Sequence, residues 1–295
     1  MVVIVGYQEL NKKLYILSIV HSLKMNSIDV PLNAWNRRKM NFRMNLIAKY
    51  LFYPLFYSMS LLTSTIFTTA NILAYYYSAG SAFTLIITVI WAILLIIWFI
   101  NFTGIFIISI FMWYAMMLYM RYKFNEVHNK VMYGFITGNK SLIIKAFVEH
   151  NLVSQNIHRL NHFFNYMVFV IYFFAVPAIE ILIYLAQSKE SNIYVRWAAA
   201  YTFIVLFIGC SLINLWCARM TASAHKSYKL MFKVMCSRRM YFSIKERLRV
   251  MTFIEKLSGP DIGFYCLNLF PMNGINFAQY LYVCGANYFL IMGFV

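Results

Sequence analysis

Few side chains in this 295-residue chain are placed to do covalent chemistry. His158 and His162 lie one helical turn apart in His158-Arg159-Leu160-Asn161-His162, a spacing at which two imidazoles can share a metal. Membrane desaturases and hydroxylases bind metal through several such boxes. This chain has six histidines, and His21, His128, His150 and His225 form no second box. The pair reads as polar residues at a helix end. Paired carboxylates and a Cys–His dyad are absent from the sequence pattern. Five cysteines, Cys210, Cys217, Cys236, Cys266 and Cys284, show no metal spacing, and an odd count argues against a disulfide framework. The expectation is a protein that is not an enzyme and carries no cofactor or metal.

Other residues suit recognition or permeation. Asn276, Tyr280, Val283 or Cys284, Asn287 and Ile291 recur at three- and four-residue steps, so they share one helical face. That face is either a helix–helix seam joined by amide hydrogen bonds or a water-facing wall. Glu180 is the one acid inside an apolar stretch, three residues after Pro177. Charged groups at such depth face a cavity or a partner. Glu180 has three readings: a pair with Arg196, a ligand contact, or a lure for cations. Tyr75, Tyr76, Tyr77, Trp91, Trp98 and Tyr201 are either interface belts or walls of a ligand pocket. Aromatic walls suit apolar ligands, rings and sugar faces alike.

The elements that carry these residues are set by composition. The chain is 62% hydrophobic and 12% charged, with a formal net charge of +17. A soluble domain of this size cannot hide so much apolar surface, so an all-α integral membrane protein is expected. Its positive excess suits loops facing anionic lipid, not nucleic acid. Met1 to Val20, broken by Glu9, Lys12 and Lys13, does not read as a signal peptide.

A crossing needs about 20 apolar residues. The candidate spans are about 50–76, 84–120, 164–187, 197–218 and 272–294. No charged residue or histidine lies between Tyr50 and Met120, and Asn101 and Gly104 could hinge the second span into two. Charge decides. With one long helix, Lys12 to Lys49, Arg121 to Arg159 and Arg219 to Lys256 all fall on one side, and only Lys189 and Arg196 lie elsewhere. Cytoplasmic loops collect such cations. The expectation is five spans, N-terminus inside and C-terminus outside. Residues 1–49 form a cytoplasmic N-terminal segment and 50–295 one transmembrane domain. Apolar residues at helical spacing in 121–163 (Val127, Val131, Phe135, Leu142, Ile143, Phe147) and in 219–261 predict helices that continue inward and pack together.

Ser258-Gly259-Pro260-Asp261 must stop a helix, because Gly caps it and Pro cannot continue it. Pro271-Met272-Asn273-Gly274 makes a second break before the last span. The stretch Phe253-Ile254-Glu255-Lys256-Leu257-Ser258-Gly259-Pro260-Asp261-Ile262-Gly263-Phe264, followed by Leu269-Phe270-Pro271, resembles the connector before the final span of the arthropod gustatory and odorant receptor superfamily. Asn287-Tyr288 and the apolar run Phe289 to Met292 resemble that family's terminal Thr-Tyr signature, and the inverted topology matches too. Asn287 stands where gustatory members have Thr, and Phe294 where they have Gln. The family has seven spans, of which the last five are visible, so the chain reads as a fragment or a divergent member.

The resemblance implies a ligand-gated, non-selective cation channel in the plasma membrane, a homo- or hetero-tetramer with related receptors. Its last helix, about 272–294, would line the pore through Asn276, Tyr280, Val283, Asn287 and Ile291, with Ile291 at the apolar gate. The inward helix ends would form the anchor where subunits meet. A tastant or odorant would enter an outer pocket near Tyr75, Tyr76, Trp91, Trp98, Glu180 and Tyr201. A non-conducting remnant or auxiliary subunit and a G-protein-coupled receptor are the alternatives. The latter has its C-terminus inside, and the chain lacks Asp-Arg-Tyr and Asn-Pro-x-x-Tyr motifs.

Overall fold

A computed structural model of the protein describes residues 32–77, 82–188, 193–237, 242–259, 262–266 and 269–294. Helix α1 (Ala34–Ile47) begins at Asn33, whose side chain accepts the Asn36 N–H at 2.8 Å. One π turn, Ala48–Phe52, carries the chain into α2 (Tyr53–Tyr77). Helix α3 (Ala82–Thr137) runs 56 residues without a break, about 84 Å at the helical rise. Asn101 and Gly104 do not hinge it; the Asn101 amide folds back onto the Ile97 carbonyl at 2.9 Å.

The reversal after α3 is local chemistry. Gly138 takes a φ of +69°, a conformation that costs a side-chain-bearing residue energy. Asn139 then caps α4 (Lys140–Gln187) by accepting the Leu142 N–H at 3.2 Å. Pro177 lies inside α4 and removes one backbone donor there. Helices α5 (Ile193–His225) and α6 (Tyr228–Cys236) follow. Helix α7 (Ile244–Ser258) opens with a capping box, Ser243 and Glu246 each bonding the other's backbone N–H. It stops at Gly259, whose N–H reaches the Glu255 carbonyl at 2.8 Å. The φ of Gly259 is −73°, so the stop comes from the following proline, which pushes its predecessor into extended backbone. A short antiparallel ladder, β1 (Tyr265–Cys266) with β2 (Phe270–Pro271), leads into α8 (Gly274–Phe294).

Helices α3, α4 and α5 pack on one another, and the two largest apolar clusters draw on α3 from Trp113 to Val131. Val127 and Val131 of α3, Ile143 and Phe147 of α4, Met231 of α6 and Phe253 of α7 form one apolar cluster. The helical spacing seen in 121–163 therefore points inward as expected. Phe147 stacks on Phe253 with ring centroids 4.5 Å apart. Beside this cluster Lys123 is buried and paired with Glu126 at 2.9 Å. Glu126 also accepts the Asn33 N–H at 2.9 Å and the Asn36 amide at 2.8 Å. A buried charge is tolerable only when satisfied in this way.

The charge-free half is built differently. Ile86, Ile90, Trp91, Leu94 and Ile97 of α3 all turn outward and are exposed. Among the described residues one helical stretch, Val195–Cys236, is long and apolar enough to cross a bilayer; Ile86–Ile97 and Tyr172–Gln187 are shorter apolar runs. The all-α character is as the sequence requires, apart from the two-residue strands.

Candidate functional site

The connector is held to the bundle by specific bonds. His225, at the end of α5, lies 2.8 Å from the Leu257 carbonyl through Nδ1, and the Ile262 N–H donates to its Nε2 at 2.9 Å. A carbonyl only accepts and an amide N–H only donates, so these two partners suit the tautomer with its proton on Nδ1. Tyr265 N–H donates to Asn161 Oδ1 of α4 at 2.8 Å. Thr221 Oγ1 faces the Met272 carbonyl at 3.4 Å. Phe264 is fully buried between Trp113 and Phe164, with centroids 6.3 and 5.8 Å away. Gly263 fits because it has no side chain: a Cβ there would come within 2.5 Å of Thr221 Oγ1. Leu257, Ile262, Phe264, Tyr265 and Met272 thus fasten α7 and the start of α8 to α3, α4 and α5.

Helix α8 shows one side to the chain and one side outward. Asn273 caps it, accepting the N–H groups of Ile275 and Asn276 at 3.1 and 3.0 Å. Asn276 donates its side-chain amide to the Pro271 carbonyl. Tyr280 and Cys284 are buried against Cys210 of α5, with Tyr172 and Phe207 beside the Tyr280 ring. Asn287 donates its amide to Glu180 of α4. On the other side Ile275, Gln279, Tyr282, Val283, Phe289 and Leu290 are exposed.

The line predicted from spacing is therefore divided within a single chain. Asn276 completes a local cap, Tyr280 enters the interior and Asn287 joins α4, while Val283, 47% exposed, faces out. Helical spacing puts these residues near one another around the axis, but α4 and α5 cover that side. The side chain of Ile291 lies outside the described residues.

Of the residues expected around a ligand, Glu180 meets Asn287 and not Arg196, whose Nε reaches the Ala186 carbonyl at 3.3 Å. Tyr201 donates its hydroxyl to Ser58 and ties α5 to α2. Trp91 is 58% exposed on the outer surface of α3, so it does not join Tyr201 in a wall. The side chains of Tyr75, Tyr76, Tyr77 and Trp98 lie outside the described residues.

Two features were not anticipated. His150 is buried under Ala224, with Nε2 3.1 Å from that carbonyl, and burial pushes its pKa down to about 4. A cavity of about 440 Å³ opens between α1, α3 and the end of α5, bordered by Lys39, Arg121 and Lys226. Its cations come from segments more than eighty residues apart, so sequence spacing carries no sign of their meeting.

No family model matches this sequence, and no curated protein matches it. Among solved structures, the chain is similar to the insect olfactory receptor OR5 from Machilis hrabei, determined in complex with eugenol. The TM-score is 0.67 at 9% sequence identity, covering 95% of this chain and 75% of that one. The chain thus shares the fold of an insect olfactory receptor across nearly all of its length.

Proposed function

We propose that the chain is a chemosensory receptor of the insect gustatory and odorant type, a ligand-gated cation channel of the plasma membrane. The observation that carries this reading is the shared fold over 95% of the chain with an olfactory receptor solved in complex with eugenol. The two-sided last helix supports it. One side is fixed to α4 and α5, and the other presents Gln279, Val283 and Leu290 at four- and seven-residue steps. A free helix face of this kind is what a central pore shared by several subunits requires.

In this reading the chain crosses the bilayer five times, with its N-terminus inside and C-terminus outside. The outward Ile86, Ile90, Leu94 and Ile97 of α3 meet lipid. Four subunits, identical or mixed, place α8 around the axis. Val283 and its neighbours Gln279 and Leu290 line the water path, and Leu290, next to the Ile291 expected at the gate, forms an apolar narrowing that gates by dewetting. Asn276, Tyr280 and Asn287 hold the helix at its correct rotation from behind. The clustered ends of α3, α4, α6 and α7 form the intracellular anchor. A tastant or odorant enters the outer half of the bundle, where Glu180, Tyr201, and Tyr75 and Tyr76 of α2 offer contacts. A gustatory role rests on the Asn287-Tyr288 signature.

Whole-cell recording under a panel of phenolic volatiles, sugars, bitter alkaloids and acids tests this. A cation current evoked by any of them in expressing cells, and absent from untransfected cells, is the expected result. Silence from surface-expressed tetramers, alone and alongside related receptors, would replace the channel with a non-conducting subunit.

A further inference from the structure

The inner cavity has a chemistry of its own. Lys39 of α1, Arg121 of α3 and Lys226 after α5 border a space of about 440 Å³, a size at which small molecules bind. Asn36, Asn125 and Asn129 add amide groups to its wall. Two more cations stand behind. Arg43 lies over the Tyr122 ring at 5.8 Å, and Tyr122 borders the cavity. Burial lowers the Arg121 pKa, and the nearby Arg219 and Arg43 add to it. The nearest carboxylate, Glu126, is already committed to Lys123, Asn33 and Asn36. Five cations converge, and no described carboxylate borders the cavity.

Position narrows the ligand. Arg121 is the first charge after the uncharged run from Tyr50 to Met120, so the cavity opens where apolar surface ends. Helix α1 beside it exposes Trp35, Phe42 and Leu46 together with Arg38 and Lys39. Residues at these seven- and four-residue steps share one side. Basic pockets between helices at the inner leaflet suit phosphorylated headgroups. Cations that repel one another call for an anion of several charges.

We infer that this cavity binds a multiply phosphorylated anion, the inositol phosphate headgroup of an inner-leaflet lipid, gripped by Lys39, Arg121 and Lys226. The assignment to lipid rests on the membrane reading above; the phosphate chemistry rests on the cavity alone.

The test is thermal unfolding of the full chain purified in neutral detergent, titrated with dioctanoyl phosphatidylinositol 4,5-bisphosphate. Dioctanoyl phosphatidylserine at equal total charge and free inositol trisphosphate are the parallel arms. A ligand that binds only the folded chain raises its melting temperature. The bisphosphate lipid should raise it saturably, the serine lipid far less, and free inositol trisphosphate at higher concentration. Arg121→Gln and Lys226→Gln should each raise the half-saturating concentration about fivefold, and Lys233→Gln on α6 should not. Lys39→Gln, at an exposed site, gives the same reading if the other variants misfold. Equal shifts by both lipids, or undiminished binding in Lys39→Gln and the other pocket variants, would overturn the site. Equal potency of free inositol trisphosphate would overturn the lipid as its source. The readout needs no current, so a silent channel that binds the headgroup separates this inference from the function proposed above.

Discussion

His150 gives a direct handle on the packed end of the molecule. Its ring is almost wholly buried, lies 5.0 Å from the Phe124 ring and 4.8 Å from the Phe253 ring, and meets the Ala224 carbonyl at 3.1 Å. Burial favours the neutral form and pushes its pKa from 6.5 to about 4, outweighing the bond to Ala224 that favours the charged form. Above pH 6.5 the ring is neutral whether the chain is folded or not, and stability does not depend on it. As pH falls from 6.5 to about 4, the unfolded chain takes up a proton that the folded chain refuses. Stability is then lost at about 1.4 kcal/mol per pH unit. At pH 5 the loss from this residue is about 2 kcal/mol, or roughly 4–8 °C in melting temperature. The assay is tryptophan fluorescence melting of the detergent-purified chain between pH 7.5 and 5. His150→Gln places an amide donor near the Nε2 position and removes the titration. The difference between the two pH profiles isolates His150 from His128 and the carboxylates. Parallel profiles would refute the argument.

Other substitutions probe the remaining joints. Phe253→Ala removes the ring stacked on Phe147 in the α3–α4–α6–α7 cluster, and should cost about 3–5 kcal/mol, read as a melting shift; a loss under 1 kcal/mol would mean the cluster is loose. Gly263→Ala drives a Cβ to within 2.5 Å of Thr221 Oγ1 and should cost about 1–3 kcal/mol. Thr221→Ala should recover part of that loss in the double variant, and additive losses would show that the two do not touch. Glu180→Ala strands the Asn287 amide at a cost of about 1–3 kcal/mol. Asn287→Ala added to it should change little more, whereas additive melting shifts would deny the bond.

How much of this was legible beforehand depends on the kind of signal. The unbroken α3 was readable because charge is a one-dimensional property: one helix puts the three basic clusters on one side, and the chain does run straight past Asn101 and Gly104. The break after Ser258 was readable because Pro260 forbids continuation whatever surrounds it. The inward-facing Val127, Val131 and Ile143 followed from period alone. The last helix was harder. Spacing groups Asn276, Tyr280, Val283 and Asn287 on one side but does not say which neighbour covers it, and α4 and α5 take Tyr280 and Asn287. Glu180 and Arg196 are close in sequence, yet packing brings Glu180 together with Asn287 from 107 positions away. The cavity between Lys39, Arg121 and Lys226 is a meeting of three distant segments, and no periodicity announces it.

The central claim is that a cation path runs along the free side of α8. It is tested most directly by the agonist-evoked whole-cell current of Val283→Cys before and after a positively charged methanethiosulfonate reagent is applied outside. The reagent should block the current in Val283→Cys and spare the wild type, whose Cys284 is buried. A robust evoked current that the reagent leaves unchanged at Val283→Cys, while the same reagent blocks it at Tyr280→Cys, would place the path on the covered side of the helix and contradict the account.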